Sequence, residues 1–343
     1  MKKMRLGRTE LQIGATGFGA LPIQRVSFQA AEYLLRRAVD GGIDYFDTAR
    51  MYTDSEEKMG RAFRGMRDRI YIATKSHGKS GSEVREHLEA SLRMLETDYI
   101  DVYQCHNPAF VPVLGGDDGI YDVLLQAKEA GKIRHIGITS HSMLVARQAV
   151  DSGLYDTLQF PFSCLSTQED IDLVRRCQAA DMGFVAMKAL SGGLIGDARA
   201  AFAYIDSIGG VLPIWGVQKP WELEMFLELS ENPPEMDEQA RKAIAALREE
   251  LSGEFCRGCG YCLPCPADIN IPIAARMGFF LQRAPVAEYT NAERRDLMGK
   301  VADCTLCGVC ESRCPYHLQP YKLVKKHAGI FWDFVETGEL PKA

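Results

Sequence analysis

Between residues 15 and 231, short apolar runs alternate with stretches whose apolar positions recur every three or four residues. The apolar runs are 15–20 (ATGFGA), 43–47 (IDYFD), 70–74 (IYIAT), 99–105 (YIDVYQC), 133–138 (IRHIGI), 157–160 (TLQF), 183–187 (GFVAM) and 211–215 (VLPIW). Short continuous apolar runs of this kind read as strands buried on both faces. The intervening stretches read as helices. In 83–96, Val84, Leu88, Leu92 and Leu95 form one apolar stripe, and Ser82 stands as a cap before it. The stretch 121–130 stops at Gly131, and 28–40 stops at Gly41-Gly42. Eight strand–helix units spaced about 25–30 residues apart predict an α/β fold, a (β/α)8 TIM barrel. An open doubly wound sheet is the alternative, and it needs a glycine-rich turn leading straight into a helix. Gly14, Gly17 and Gly19 are followed by Leu21-Pro22-Ile23 instead, so they read as a close-approach loop.

The pattern breaks at 232–236 (NPPEM), which divides the chain into a barrel over 1–235 and a second domain over 236–343. The second part begins with a charged linker helix near 237–251. It continues through 271–301, helical with loop breaks, and ends in a helix at 320–335. Eight of the eleven cysteines lie in it. Cys304, Cys307 and Cys310 recur at two-residue intervals, and Cys314-Pro315 follows after three more. This is the cluster-binding run of bacterial ferredoxins, in which three thiolates wrap one cubane and the fourth cysteine ligates the other cluster. An earlier run, Cys256, Cys259, Cys262 and Cys265-Pro266, differs only in a shorter last interval. The two runs predict a small, mainly helical ferredoxin-like domain with two [4Fe-4S] clusters. Cys256, Cys259, Cys262 and Cys314 would hold one cluster, and Cys304, Cys307, Cys310 and Cys265 the other. Local ligation within each run is the alternative. Zinc is the rival metal, since paired C-x2-C motifs also make zinc sites. Cys105, Cys164 and Cys177 are scattered and read as core residues.

Composition narrows the partners. Of 343 residues, 46% are hydrophobic and 25% charged, and a net charge of -6 gives no reason to expect a nucleic-acid or membrane partner. The basic start MKKMRLGRTELQIG lacks an apolar segment, and no run of about 18 apolar residues occurs, so a cytoplasmic location is expected. In a reducing compartment, clustered cysteines are metal ligands rather than disulfides.

Parallel barrels carry their chemistry at the C-terminal ends of the strands. There stand Asp47, with Tyr52 one loop-turn later, Lys75 and His106, on three successive strands. The stretches FDTARMY (46–52), IATKS (72–76), ASLRMLETDYIDVYQCH (90–106), KEAGKIRHIGIT (128–139) and LQF (158–160) resemble the aldo-keto reductase family, in that family's order. Across its whole length the chain is similar to the subgroup with a C-terminal two-cluster ferredoxin-like segment. The resemblance implies a catalytic tetrad of Asp47, Tyr52, Lys75 and His106. It places the nicotinamide carboxamide of NADP(H) or NAD(H) at Thr139, Ser140 and Gln159, although the family commonly has Ser-Asn where Thr139-Ser140 stands. It places the diphosphate at the loop of Lys188, Gly192, Gly193 and Leu194. The adenosine falls at Gly216, Gln218 and Lys219, where Met225-Phe226 replaces a frequent Glu-Asn pair.

The resulting expectation is an oxidoreductase that reduces a small-molecule carbonyl, or oxidises an alcohol, by hydride transfer with NAD(P)H. Because a hydride carries two electrons and a cubane one, two alternatives follow. One is a reductase coupled to ferredoxin or another redox partner, with FMN as a carrier. The other is an electron-transfer protein on an idle barrel, against which the complete tetrad speaks.

Overall fold

The computed structural model describes residues 1–191, 195–251, 256, 258, 260–283, 285–314 and 316–340. The chain separates into two compact units, Met1–Ile244 and Ala245–Ala343.

The first unit opens with a hairpin of β1 (Lys3–Arg5) and β2 (Gln12–Gly14), paired antiparallel. Eight strands follow: β3 (Gly17–Gly19), β4 (Tyr45–Asp47), β5 (Tyr71–Ser76), β6 (Ile100–His106), β7 (Ile133–Thr139), β8 (Thr157–Pro161), β9 (Gly183–Met187) and β10 (Val211–Gly216). They run parallel in chain order, and β10 pairs with β3 to close the barrel. Closure excludes the open sheet. Between the strands lie α1 (Phe28–Asp40), α2 (Ser55–Ala62), α3 (Gly81–Met94), α4 (Ile120–Glu129), α5 (Met143–Ser152), α6 (Gln168–Ala179) and α7 (Ala198–Ile208), and α8 (Pro220–Glu231) follows β10.

Two local expectations are corrected. Gly17 and Gly19 belong to the first barrel strand rather than to a loop. A Cβ on Gly17 would meet the Ile214 side chain at 3.0 Å, so the glycine serves strand-to-strand approach. Helix α3 is capped by Ser80, whose hydroxyl accepts from the Glu83 N–H, and not by Ser82. Gly81 opens the helix, where its N–H donates to Asp118 O at 2.7 Å and a Cβ would meet Gly119 O at 2.5 Å.

Helix α9 (Glu238–Leu251) contains the division between the units. The second unit holds α10 (Ile271–Ala274), α11 (Met277–Arg283), α12 (Val286–Thr290), α13 (Ala292–Gly299), α14 (Val309–Ser312) and α15 (Pro320–Thr337). Its core gathers Met277, Leu281, Val324 and Phe331 around the buried thiols of Cys256 and Cys262. Of the aromatic residues on α15, Phe331 is fully buried, while Trp332 is 36% exposed. Among the described residues no helix is long and apolar enough to cross a membrane.

Candidate active site and cluster-binding cysteines

Strand register sets the site. Lys75 on β5 lies level with Gln104 on β6, and His106 on β6 lies level with Thr139 on β7 and, through it, Gln159 on β8. Residues two apart on a strand share a face, so these side chains gather at one end of the barrel. A Cβ at position 137 would sit 2.8 Å from the Gln104 side chain, so Gly137 leaves that glutamine its space.

Lys75 is 1% exposed. Its ammonium donates to Asp47 Oδ2 at 2.5 Å and to Thr48 O at 2.6 Å. Asp47, itself 3% exposed, also accepts from Gln104 Nε2 at 3.1 Å and from Gln159 Nε2 at 3.4 Å. Burial lowers the Lys75 pKa from the usual lysine value, and the Asp47 and Glu56 carboxylates work against that shift. The Lys75 ammonium lies 5.5 Å from the centre of the Tyr52 ring. The Tyr52 and His106 rings stand nearly perpendicular, 5.9 Å apart. Burial holds the His106 pKa well below the ordinary histidine value, and Lys75 and His77 push it further down, so the imidazole is neutral at pH 7. Its Nδ1 has no hydrogen-bond partner. The four residues expected from the sequence are therefore linked or within ring contact of one another.

The loop that carries Tyr52 is fastened on several sides. Thr48 N–H donates to Ala73 O at 2.8 Å, and Arg50 N–H to Lys75 O at 3.0 Å. The Thr48 and Ser55 hydroxyls meet at 2.9 Å. Glu56, only 1% exposed, accepts from Thr74 Oγ1 at 2.7 Å and from Arg50 Nη1 at 2.5 Å. Glu56, Arg50 and Gln104 were not singled out from the sequence. Gln104 had a readable signal, because it shares the inward period of β6 with His106. Glu56 had none, since its partners come from a loop and a neighbouring strand.

Of the expected cofactor contacts, Thr139, Ser140 and Gln159 are all buried at the same end of the barrel. The Thr139 hydroxyl is engaged by the Asn107 N–H at 2.9 Å, and Ser140 Oγ by the Ser142 backbone at 3.0 and 3.1 Å. The side-chain carbonyl of Gln159 is buried and has no hydrogen-bond partner, which suits it to accept from a carboxamide N–H. Lys188 follows β9 directly. Gly192, Gly193 and Leu194 lie outside the described residues. Gly216 closes β10, and the N–H groups of Gln218 and Lys219 both donate to Glu222 Oε2, at 2.7 and 3.0 Å. Lys219 is exposed, its ammonium 5.9 Å from the Trp221 ring centre. Phe226 is a core residue, stacked on Trp215 with centroids 4.8 Å apart. Thiols in the barrel are inert: burial pushes both Cys105 and Cys177 up to about 12, and Cys164 is fully buried.

In the second unit, a recess is lined by Cys262, Cys265, Cys304, Cys307 and Cys310. Ile269, Ile271 and Val324 supply its apolar wall. Leu306 and Gly308 have left-handed backbones, φ 56 and 75, which curl the 304–310 loop around it. Cys314, half-buried, does not line this recess. Cys256 is buried in the adjoining core, and Cys259 lies outside the described residues. Among the described residues, no three histidine, cysteine or carboxylate side chains converge closely enough for a single metal ion. Five thiols around one apolar recess suit a multinuclear cluster, whose ligands stand further apart.

The profile of the aldo/keto reductase family matches residues 10–207, more than half of the chain. The chain belongs to the aldo/keto reductase family, a family of oxidoreductases, and residues 255–319 match the 4Fe-4S dicluster domain. L-galactose dehydrogenase from Arabidopsis thaliana is 30% identical over 213 residues, 55% of this chain and 66% of that protein. An uncharacterised oxidoreductase of Bacillus subtilis (strain 168), YqkF, is 30% identical over 177 residues, 48% of this chain and 56% of its own length. The chain thus spans between about half and two thirds of these curated relatives. Among solved structures, the aldo-keto reductase from Klebsiella pneumoniae, crystallised with NADPH, superposes with a TM-score of 0.63 at 23% identity, over 72% of this chain and 95% of that one. The holo form of aldo-keto reductase AKR11C1 from Bacillus halodurans gives 0.63 at 22% identity, over 72% and 96%. At these identities the two structures speak for the shared fold.

Proposed function

We propose that the barrel reduces a small-molecule carbonyl, or oxidises the corresponding alcohol, with NAD(P)H. The observation that carries this reading is the buried Lys75 ammonium, anchored by Asp47 and set against the Tyr52 ring, with a neutral His106 across from it.

A bound nicotinamide dinucleotide supplies the hydride. A free tyrosine, with a pKa near 10, is a slow proton donor at neutral pH. A cation beside the ring stabilises the phenolate and brings the phenol into a useful range. Tyr52 donates the proton to the carbonyl oxygen as hydride arrives at carbon. Asp47 holds the Lys75 ammonium in place and keeps it charged despite burial. His106, uncharged, donates one N–H to the same oxygen and stabilises the charge that develops there. Gln104 and Gln159 brace Asp47. The buried side-chain carbonyl of Gln159 would receive the carboxamide of a bound nicotinamide, which would link cofactor recognition to the tetrad through Asp47. The Klebsiella pneumoniae neighbour's NADPH supports this choice of cofactor.

The cysteines hold two [4Fe-4S] clusters, which supply one-electron transfer when bound. Cys262 and Cys265 both line the recess of Cys304, Cys307 and Cys310, and Cys314 does not, so the first cysteine run reaches the second run's site, as crossed ligation requires of Cys265. A second reading, electron entry from ferredoxin or another redox partner, is favoured by the exposure of Cys307 and Leu306 on the rim of that recess. FMN would be needed only under that reading.

The test is anaerobic oxidation of NADPH and of NADH by the iron-loaded chain across a panel of aldehydes and ketones. Carbonyl-dependent nucleotide oxidation that disappears in Tyr52→Phe is expected. Turnover of the same size in Tyr52→Phe sinks the assignment.

A further inference from the structure

A second set of linked side chains borders the same end of the barrel, and the tetrad does not use it. The Lys188 ammonium lies 3.0 Å from His141 Nε2. His141 Nδ1 lies 3.3 Å from Asn107 Oδ1, and the His141 backbone N–H donates to that same oxygen at 2.9 Å. The three residues follow β6, β7 and β9, so three strand ends are tied together.

Donor and acceptor rules fix the direction of every bond in this chain. An ammonium can only donate, so Nε2 accepts, and the ring proton sits on Nδ1, where the Asn107 carbonyl receives it. His141 is thus oriented through both ring nitrogens, one toward Lys188 and one toward Asn107. Asn107 is fixed in turn, its N–H donating to both the carbonyl and the hydroxyl of Thr139, at 3.0 and 2.9 Å. Both ends of the relay are left-handed, Asn107 at φ 53 and Lys188 at φ 59. Such a backbone is unfavourable for a lysine, and it persists where the surrounding structure over-determines it, commonly at functional sites. A lysine side chain is otherwise a flexible stem with a freely swinging charge.

The relay's place says what the ammonium meets. His141 follows Thr139 and Ser140 directly, so the relay borders the nicotinamide end of the proposed cofactor site. The next anionic group along a dinucleotide is its diphosphate. We propose that Asn107 and His141 are positioning residues that aim the Lys188 ammonium at the diphosphate of the bound nucleotide. This rests on the nicotinamide reading given above. Preorganisation of this kind acts on affinity, because less freedom is lost when the ligand binds.

The experiment is isothermal titration, under anaerobic conditions, of the full iron-loaded chain with NADPH and with ADP-ribose, which keeps the diphosphate and lacks the nicotinamide. Lys188→Met and His141→Phe should each weaken both ligands by about tenfold, the size of one impaired charge-assisted hydrogen bond. The double variant should bind no worse than Lys188→Met alone, because the histidine acts through the lysine. His141→Gln, which offers both an acceptor and a donor, should recover most of the loss. A purely structural histidine would give neither non-additivity nor rescue. Wild-type affinity in His141→Phe, or additive losses in the double variant, overturns the proposal. Should His141→Phe lose iron or fail to fold, Asn107→Ala reads the same relay, with an expected loss of about threefold; wild-type affinity there overturns it equally. A wild-type chain that binds neither ligand refutes the nicotinamide reading itself, and this inference falls with it.

Discussion

In the barrel unit, Asp47, Lys75 and His106 are strand residues whose places follow from backbone register. In the unit of residues 245–343, Cys265, Cys304 and Cys307 lie on loops and Cys310 on the single-turn helix α14. Hydrogen bonds among Lys75, Asp47, Gln104 and Gln159 stabilise the first site from within the barrel. The second site is a recess, and two of its unit's thiols, Cys256 and Cys262, are themselves members of the hydrophobic core. A site that is its own scaffold survives loss of its ligand. A core completed by metal ligands folds together with the metal. The barrel site is therefore expected to persist in iron-free protein, whereas the cysteine-rich unit is expected to lose its structure.

The contrast can be broken most forcefully at Tyr52. Tyr52→Phe should cut kcat by about a thousandfold or more while nucleotide affinity and iron content stay at wild-type levels. A loss of affinity instead would make Tyr52 a binding residue. On the other side, crossed and local ligation differ in double variants. With crossed ligation, Cys265→Ser combined with Cys310→Ser strikes one cluster and leaves the other, so iron falls by half. Local ligation predicts loss of both, and iron analysis with low-temperature electron paramagnetic resonance separates the two outcomes.

A smaller effect tests how far the barrel's electrostatics are local. Burial opposes ionisation of Asp156, but His135, the Ile136 N–H and Lys128 outweigh it and hold the carboxyl at about 2. The folded value lies below the unfolded one, so this stabilisation is complete above pH 4 and is lost as pH falls through about 2. Asp156→Asn should cost roughly 2 kcal/mol at pH 7, and the deficit should shrink toward pH 2. Urea unfolding followed by tryptophan fluorescence reads it, since Trp215 and Trp221 lie in the barrel unit. A deficit independent of pH would contradict the electrostatic origin. The smallest effect concerns the adenosine end. Lys219→Ala should raise KM for NADPH a few-fold and leave KM for NADH unchanged. Equal changes for both nucleotides would show that Lys219 does not meet a 2′-phosphate, and Glu222, already on the neighbouring N–H groups, would then argue for NADH.

The eight barrel strands were readable because each is a short apolar run between strong helical stripes. The hairpin β1–β2 was not, because two three-residue strands show no period. The start of α3 was misplaced by two residues, since Ser80 and Ser82 are equally competent caps; contacts of Gly81 with Asp118 and Gly119 decide between them. Asp47, Lys75 and His106 were legible because strand ends fix where side chains point. Glu56 and His141 were not, because each owes its place to partners some 6 to 47 residues away in the chain. Sequence spacing alone proposed the eight cysteines as cluster ligands. The shared recess of Cys262 and Cys265 with Cys304, Cys307 and Cys310 is a tertiary fact that no spacing shows.

The central claim is that the barrel transfers hydride directly, with the proton coming from Tyr52. It is tested by anaerobic turnover of a carbonyl compound with NADPH deuterated at the transferable position of the nicotinamide, with the alcohol analysed by mass spectrometry. Direct transfer predicts one deuterium on the former carbonyl carbon of essentially every product molecule. Product free of deuterium, its hydrogen drawn from solvent, would show that electrons pass through the clusters or a flavin and would contradict the account.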